Sequence, residues 1–600
     1  MIRATIVNTI VCDDKNALRR GVFNLAKRAA NLRNMGDFAM LMKNKRFYCF
    51  LASALLGVAA TLFSSDSSVF AQSGDAQVPE YQLSDDGHIF LKYHGNGEKL
   101  VVPDSVTGIN SGAFDRSEPG EIDLSFLAFG EPRKTFADRA RERGFSLKTI
   151  VIPASVVGAR FVDFWHCPSL ETIEVAEDNP SLRSIDGVLY SKDGTVLKCV
   201  PSGIKKDEFI VPESVRIIER SAFAGASNLK SIILPKSLEV LDSVVFAGCS
   251  SLSSIVVPDG VSEIGMSAFE DCSSLTSIVV PDGVKKIGGN AFTGCSSLKS
   301  IDVPKSVEEI GSFMFCPSLT AINVAEENPV YRSIDGVLYS KDGKKLVRFP
   351  EGSGKESFTV PDGVEVVVPF AFTGCSSLKS IVFPKSLTEI GSLAFAGCSS
   401  LSSIALPDGV KKFGNNAFES CSSLTSFDVP ESVEDIGFFT FSNCPSLKSI
   451  NAAENNPYYS SSDGVLFSKD GKTLVMAPMG KVEDSFAVPE GVEEIGICAF
   501  GHCSSLERIE LPESVRKIGG AAFHGCSALK TFVVPDGVKE IAGATFFYCP
   551  ALSEIVIPAS VEKIEYYAFY PTKNLTIRAP KGSYAEEFAQ KKKIDFKPLD

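Results

Sequence analysis

The chain is built from one unit of 23 residues that is copied many times along its length. Prolines mark the copies at this spacing from Pro212 to Pro304, from Pro384 to Pro430 and from Pro489 to Pro558. Fifteen copies, each with an apolar residue before its proline, lie between Pro103 and Pro558. One copy holds too few apolar residues to fold alone, so neighbouring copies must stack and share a core. The sequence therefore predicts a solenoid.

Residues 275–297 show how one copy forms a rung. Pro281 with Asp282 and Gly283 is typical of a turn that ends a short strand. Apolar residues recur where the strand and the stretch after the turn would direct them inward, at Leu275, Ile278, Val280, Val284, Ile287, Ala291, Phe292 and Cys295. The predicted fold class is a β-rich repeat solenoid of the α/β type, with strands paired at about 4.8 Å between rungs.

Three inserts of equal length interrupt the spacing, at residues 167–211, 316–360 and 444–488. Each contains Cys-Pro-Ser-Leu, an Asn-Pro and Asp-Gly-Val-Leu. In the second insert, apolar and polar residues alternate around Lys341-Asp342-Gly343, a pattern typical of a hairpin. Each insert is therefore expected to add a hairpin. A calcium loop is disfavoured, because the spaced Asp ligands and the distal Glu are missing.

The ends of the array differ from its repeats. Residues 72–145 are expected to form an N-terminal cap and irregular first rungs, with a charged helix within 115–145. The solenoid is predicted over 146–571 and a C-terminal cap over 572–600.

The first 71 residues are excluded from the predicted fold. Residues 42–71 have a basic head, an apolar run and small residues at their end, which together indicate a secretory signal peptide. A transmembrane helix is the alternative, but the apolar run from Phe47 to Phe63 is short for one. Residues 1–41 are interpreted as an over-long reading frame. The mature chain is expected to be secreted or displayed at the cell surface, without a membrane span.

The repeated pattern Leu-x-x-Ile-x-Val-Pro-x-x-Val-x-x-Ile-Gly-x-x-Ala-Phe-x-x-Cys resembles the BspA-type leucine-rich repeat family. The resemblance implies a curved leucine-rich repeat solenoid with a strand-lined face, on exported or surface proteins of which some act as adhesins for host matrix proteins or other bacteria. Residues 575–590 are similar to the capping segment of such arrays. Tyr584, Phe588 and Phe596 are then placed to cover the last rung.

Twelve of the 16 cysteines occupy the same position in the repeat, as Cys249, Cys272 and Cys295 do. On stacked rungs they would form a ladder. Disulfides between rungs about 5 Å apart are geometrically allowed, but side chains in register point the same way, so we favour free thiols packed as small apolar groups. A zinc site is disfavoured, because no Cys-x-x-Cys occurs and one column cannot surround a metal.

The sequence offers little material for catalysis, and we predict a protein that is not an enzyme, with no catalytic residue, metal or cofactor. Residues 352–356 resemble a phosphate loop but lack its first glycine. Of the five histidines, His502 and His524 fall on adjacent rungs, where a surface metal site is possible but two solvated side chains are favoured. Trp165 and His166 are interpreted as edge packing, with a recognition hot spot as the alternative.

The candidate binding residues face outward from the predicted strands. They are Lys230, Ser231, Thr276, Val279, Lys299, Asp302, Lys379, Val382, Glu507, Arg508, Glu510 and Lys530. Such a small, mixed, flat face suits a broad contact with a protein or glycan. Nucleic acid is excluded as the main partner by the net charge of −13.

Three functions are compatible with this surface. The first is adhesion to an extracellular protein or glycan of a host or a neighbouring cell. The second is a structural spacer whose face binds nothing. The third is a hydrolase within 72–145, which would depend on His88 or His94.

Overall fold

The computed structural model describes residues 80–110, 113–114, 135, 138–139, 142, 144–159, 164–565, 567–570 and 574–599. Within them the chain winds into the predicted solenoid, and one 23-residue copy makes one rung with three sides. The expected N-terminal extension and signal peptide lie outside the described residues. So does most of the expected helix within 115–145, of which Asp138, Arg139 and Glu142 are described and are helical.

The first side of each rung is a strand of three or four residues, and we call the side formed by these strands the strand face. The strands stack in parallel, and the repeat sets their register, so that Ser231 pairs with Ser254 and Ser254 with Ser277. The strands are Lys99–Val101, Thr149–Ile152, Thr172–Val175, Glu208–Ile210, Ser231–Ile233, Ser254–Val256, Ser277–Val279, Ser300–Val303, Ala321–Val324, Ser357–Thr359, Ser380–Val382, Ser426–Val429, Ser449–Ala452, Ser485–Ala487, Arg508–Glu510, Thr531–Val533, Glu554–Val556, Thr576–Ala579 and Asp595–Pro598.

The second side consists of two-residue strands that also pair in parallel, with Ile264 beside Ile287. Both isoleucines are buried. These strands are Gly108–Ile109, Gly158–Ala159, Ile217–Ile218, Val240–Leu241, Glu263–Ile264, Lys286–Ile287, Glu309–Ile310, Val366–Val367, Glu389–Ile390, Lys412–Phe413, Asp435–Ile436, Glu494–Ile495, Lys517–Ile518, Glu540–Ile541 and Lys563–Ile564.

The third side is a series of turns. Its backbone still bonds from rung to rung, because Val244 N donates to Met266 O at 2.8 Å and Phe246 N donates to Ala268 O at 2.8 Å. Two residues before most of the inward phenylalanines the backbone is left-handed, with φ of 63° at Val244 and 57° at Leu393. L-residues with branched or bulky side chains rarely adopt this conformation, so the ladder of backbone bonds must hold it in place.

A column of stacked phenylalanines fills the centre of the solenoid. The ring centroids of Phe246 and Phe269 are 5.2 Å apart, and those of Phe372 and Phe395 are 4.8 Å apart, with near-parallel planes. All eight inward positions predicted for residues 275–297 are buried, which confirms the assignment. The column explains why the chain uses 43 Phe but 13 Tyr and 1 Trp, since a buried hydroxyl or indole N–H would need a partner there.

Each insert forms a three-stranded antiparallel sheet, which is larger than the predicted hairpin. The hairpin around Lys341–Gly343 is confirmed between Val337–Ser340 and Lys345–Arg348, and Tyr331–Ile334 adds a third strand. Lys345–Arg348 then pairs in parallel with Val366–Val367, so the insert starts a new sheet on the second side. The strands of the other two inserts are Leu182–Ile185, Val188–Ser191, Val196–Cys199, Tyr459–Ser462, Val465–Ser468 and Thr473–Met476.

The asparagine of each Asn-Pro fastens the insert to the rung before it. Asn328 Nδ2 donates to the carbonyls of Pro304 and Val307, both at 2.9 Å. Its Oδ1 accepts from the backbone N–H groups of Val330 and Tyr331 at 2.9 and 2.8 Å. Asn179 and Asn456 make the equivalent four bonds in the other inserts.

Both ends of the described solenoid carry additional elements. Tyr81–Leu83 pairs antiparallel with Ile89–Tyr93 at the N-terminal end. The helix Tyr584–Lys592 and a final strand close the C-terminal end. Phe588 and Phe596 pack on the last rungs as expected, but Tyr584 is exposed, because the helix buries the face that carries Ala585, Phe588 and Ala589.

Two short 3-10 helices complete the described elements, at Phe164–His166 and Glu351–Ser353. No helix in the described part of the chain is long and apolar enough to cross a bilayer.

The described residues contain fourteen free, buried cysteines, and twelve of them form the expected ladder, with Cys199 and Cys498 outside it. The Cys249 thiol donates to Phe223 O and the Cys272 thiol to Phe246 O, both at 3.2 Å. Nine of the twelve ladder thiols donate in this way, and each of these ties its rung to the preceding one. Burial raises the pKa of Cys503 and of Cys549 to about 12.

Replacing Asn328 with alanine should destabilise the fold by at least about 3 kcal/mol, because two carbonyls and two N–H groups lose their partner and an unmade buried hydrogen bond costs about 1–3 kcal/mol. Denaturant unfolding measures the change. Asn323→Ala is the control, since Asn323 is exposed and bonds only to the Asp302 carboxylate. Equal effects of the two substitutions would contradict the role of Asn328.

The ladder thiols should resist alkylation in the folded protein. Raising a thiol pKa from 9.0 to about 12 lowers its thiolate fraction at pH 8 by about a thousandfold, and thiolate is the reactive form. Iodoacetamide treatment with mass spectrometry at pH 8 should leave Cys503 and Cys549 unmodified until denaturant is added. Rapid modification of either cysteine under native conditions would refute the packing.

Candidate functional site

The outward side chains of the strand face form columns, because equivalent residues of successive rungs pair in register. In the rung of Ile278, the residues Thr276, Ser277 and Val279 are exposed, whereas Ile278 and Val280 are buried. All twelve candidate residues lie within strands of this face or directly before them. These residues therefore share the strand face, and their role in binding stays a prediction.

The most unusual feature of the strand face is a run of four exposed β-branched side chains on successive rungs, which we call the apolar strip. Its members and their exposed fractions are Ile210 (62%), Ile233 (47%), Val256 (65%) and Val279 (57%). Ile210 pairs with Ile233, and Val256 with Val279. The candidate set contained only Val279, although the 23-residue spacing of the other three was the signal that could have identified them.

A polar pair continues the column beyond the strip. Asp302 accepts a hydrogen bond from Asn323 Nδ2 at 2.7 Å, and Asp428 accepts the equivalent bond from Asn451 at 2.9 Å. Each pair joins the last strand-face strand before an insert to the first strand within that insert. The stretches between inserts therefore end in the same amide–carboxylate pair in these two cases.

Three of the four candidate lysines of the strand face are paired with acids one rung earlier. Lys230 Nζ lies 2.9 Å from Asp207, Lys379 Nζ 2.8 Å from Glu356, and Lys530 Nζ 2.5 Å from Glu507. Exposed pairs of this kind contribute little to stability, but they neutralise the charge that each lysine offers to a partner. The sequence analysis missed this pairing, whose signal was an acid 23 residues before each lysine.

The Ser and Thr residues at the repeat position of Lys230 also form hydrogen bonds within the sheet. Thr276 Oγ1 donates to Ser253 O at 3.0 Å, and Ser253 Oγ donates to Lys230 O at 3.3 Å. These hydroxyl groups thus bond to the backbone of the preceding rung. The strip is thus the main feature by which the face differs from an ordinary solvated sheet.

The inserts divide the strand face into separate stretches. Ile322 N donates to Gly336 O at 2.9 Å, so the turn Asp335-Gly336 takes the place of the next strand. Only glycine fits there, since its φ is +77° and a Cβ would lie 3.0 Å from the Cβ of Ala321. Ile173 N with Gly187 O and Ile450 N with Gly464 O repeat the arrangement.

The candidate residues consequently fall into three groups that do not share one sheet. The first group lies before the second insert, from Lys230 to Asp302. The second group contains Lys379 and Val382, and the third runs from Glu507 to Lys530. The apolar strip lies entirely within the stretch that holds the first group.

His502 and His524 are packed among aromatic rings, so the expectation of two solvated histidines was wrong. Their ring centroids are 5.0 Å apart, and the His524 ring stacks on Phe547 at 5.4 Å and meets Phe439 at 5.4 Å. Burial lowers the pKa of His524 to about 3. The described residues contain no group of three or more His, Cys, Asp or Glu side chains that could hold a metal.

The other singled-out residues have structural contacts. Trp165 packs against Ala224, Val244 and Ala247, which agrees with the packing interpretation. His88 Nδ1 lies 2.9 Å from Ser105 O. An open depression of about 430 Å³ lies beside the C-terminal helix, between Val561, Glu562 and Lys581, far in sequence from the strip.

Substitution of two neighbouring residues in one strand should distinguish the exposed position from the buried one. Val256→Thr keeps β-branching on an exposed position, and we expect it to change the free energy of unfolding by less than about 0.5 kcal/mol. Ile255→Thr places a hydroxyl in the core and should cost about 2–4 kcal/mol. Urea unfolding of both variants tests the assignment, and a Val256→Thr cost as large as that of Ile255→Thr would show that the strip is buried.

Comparison with known proteins shows the following. The family model described as the BspA type leucine rich repeat region matches residues 88–192, 202–327, 349–462 and 482–586. Among curated proteins, none matches the chain.

Several solved structures are similar to this one. A leucine rich cell surface protein from Faecalibacterium prausnitzii A2-165 is 24% identical over 74% of this chain and 95% of that chain, with a TM-score of 0.41. The pneumococcal vaccine antigen PcpA is 18% identical over 88% of this chain and 100% of that chain, with a TM-score of 0.35. A leucine-rich repeat protein from Bacteroides ovatus is 25% identical over 70% of this chain and 91% of that chain, with a TM-score of 0.31.

Proposed function

The chain belongs to the BspA-type leucine-rich repeat family, and from that premise we propose that it is an exported, non-enzymatic protein that adheres to an extracellular protein or glycan through its strand face. The partner belongs to a host matrix or a neighbouring cell. The proposal includes secretion or surface display after removal of the signal peptide at residues 42–71, with the mature solenoid bounded by caps at 72–145 and 572–600.

The apolar strip is the observation that carries this proposal. Four exposed β-branched side chains on consecutive rungs form a contiguous apolar surface rimmed by Ser, Thr and paired Lys residues. Contiguous exposed apolar patches on folded proteins mark interaction sites, whereas single exposed apolar residues need no explanation. An apolar centre with a polar rim is also the usual composition of a protein–protein interface.

The site favours binding over chemistry. The strand face is flat, and its polar groups are engaged in rung-to-rung bonds, so they do not converge on one point in space. Catalysis in contrast needs converging acid, base or nucleophilic groups within a cleft. The strip therefore suits a partner with a broad, partly apolar surface.

A second function is favoured by the ion pairs of the strand face. Because Lys230, Lys379 and Lys530 are each matched by an acid, the face offers no unpaired lysine column in these rungs. A solenoid whose face is internally satisfied suits a structural spacer of the envelope or extracellular matrix. A structural spacer would not require the apolar strip.

Binding of residues 72–600 to an array of matrix proteins and glycans tests the proposal. Val256→Asp with Val279→Asp should reduce saturable binding at least tenfold, because two charges would be desolvated at the centre of the interface. Reversal of Lys299, Lys379 and Lys530 to Glu should weaken binding less, since two of these lysines are already paired.

The control lies on the second side of the solenoid, in the rungs of Arg508–Glu510 and Glu554–Val556. Lys517→Glu with Lys563→Glu breaks ion pairs of the same kind, to Glu494 and Glu540, and should leave binding unchanged. Loss of binding in the control as well would contradict a role of the strand face. No binding to any probe by a folded wild-type chain would favour the structural spacer.

A further inference from the structure

Two near-copies of one pair of rungs occupy residues 242–277 and 391–426. Both contain Phe-Ala-Gly-Cys-Ser-Ser-Leu-Ser-Ser-Ile, followed by Ala-Phe-Glu-x-Cys-Ser-Ser-Leu-Thr-Ser. The glutamates of this pattern are Glu270 and Glu419, which accept equivalent backbone bonds on the third side, from Gly248 N at 2.7 Å and Gly397 N at 2.8 Å. The two glutamates therefore occupy equivalent positions in their rungs.

In the first copy, the N-terminal part of the chain covers the third side. Trp165 packs against Ala224 and Ala247. On the following rung, Arg139 Nη2 lies 3.3 Å from Glu270 Oε1, and both side chains are mostly buried. A guanidinium from 131 residues earlier in the chain therefore compensates the carboxylate of this rung.

In the second copy, Glu419 has no such cation. It is 5% exposed, and Asn416 Nδ2 donates to its Oε2 at 2.8 Å. No lysine, arginine or histidine among the described residues forms an ion pair with it.

The state of Glu419 is energetically unfavourable. Burial raises its pKa to about 7, and the hydrogen bond from Asn416 offsets only part of that effect. Directly after it, the Ser420 hydroxyl is buried without a hydrogen-bond partner. A buried carboxylate without a cation and a buried hydroxyl without a hydrogen-bond partner are both costly.

We propose that the third side around Glu419 binds an arginine side chain of another protein, as the equivalent Glu270 binds Arg139 within the chain. Arginine fits because its charge stays fixed and its planar group carries several N–H donors that match a carboxylate. A metal ion fits poorly, because the described residues there provide no set of three ligating side chains. This site lies on a different side from the strand face and does not depend on the function proposed for it.

The chain's own arginine segment provides the probe. A labelled peptide with the sequence of residues 133–145 contains Arg139 and its neighbours, and its binding to the full chain can be followed by fluorescence anisotropy at pH 7.5. We expect saturable binding that Glu419→Gln weakens at least tenfold. A second peptide in which Gln replaces Arg139 should bind at least tenfold more weakly than the first.

Glu270→Gln is the matched control, because it removes the equivalent carboxylate where Arg139 already lies. It should change peptide affinity less than twofold. Glu419→Gln keeps the shape of the side chain and an acceptor for Asn416, so thermal unfolding should show it to be at least as stable as the wild type. A loss of binding in this variant then reports the missing charge rather than a failure to fold.

Two results would overturn the proposal. One is the absence of saturable binding, or equal weakening by Glu270→Gln and Glu419→Gln, which would reduce the interaction to general attraction between a basic peptide and an acidic chain. The other is a concentration-dependent dimer of the wild type that Glu419→Gln abolishes in light scattering. That dimer would replace the foreign partner with a second copy of this chain.

Discussion

In-register hydrogen bonding between successive rungs is the constraint on which the rest of the structure depends. It acts on all three sides, through the longer strands, the two-residue strands and the turns. The repeat places each residue above its equivalent in the next rung. An apolar residue such as Phe269 therefore stacks with Phe246 and Phe292 in a continuous column. A core that no rung could form alone thus becomes continuous.

The same stacking explains why surface chemistry occurs in columns. An acid and a lysine 23 residues apart become neighbours, as Glu507 and Lys530 do, and four β-branched residues become the apolar strip. The inserts set the length of these columns, because the turn at Asp335-Gly336 takes the place of a strand. A binding function is therefore expected where the residues of one surface column differ from those of the other rungs.

Some elements of this fold could be predicted from the sequence and others could not. The inward set of residues 275–297, the hairpin around Lys341–Gly343 and the cysteine ladder followed from local pattern and were correct. The turns of the third side did not follow, because left-handed Val244 and Leu393 oppose their own backbone preferences and are held by bonds to other rungs. The outward residues of the strands were predicted, but the lysine pairs were not, and the candidate set held only one member of the apolar strip.

The sequence by itself determined the solenoid, its inward residues and the positions of the inserts, because these depend on spacing along the chain and on the transfer of apolar side chains from water. Only the tertiary structure decided which residues are partnered. His502 and His524 became part of an aromatic cluster, Glu270 acquired Arg139, and its equivalent Glu419 did not. Such outcomes depend on segments far apart in the chain that meet only when the rungs have stacked, and no local pattern records that meeting.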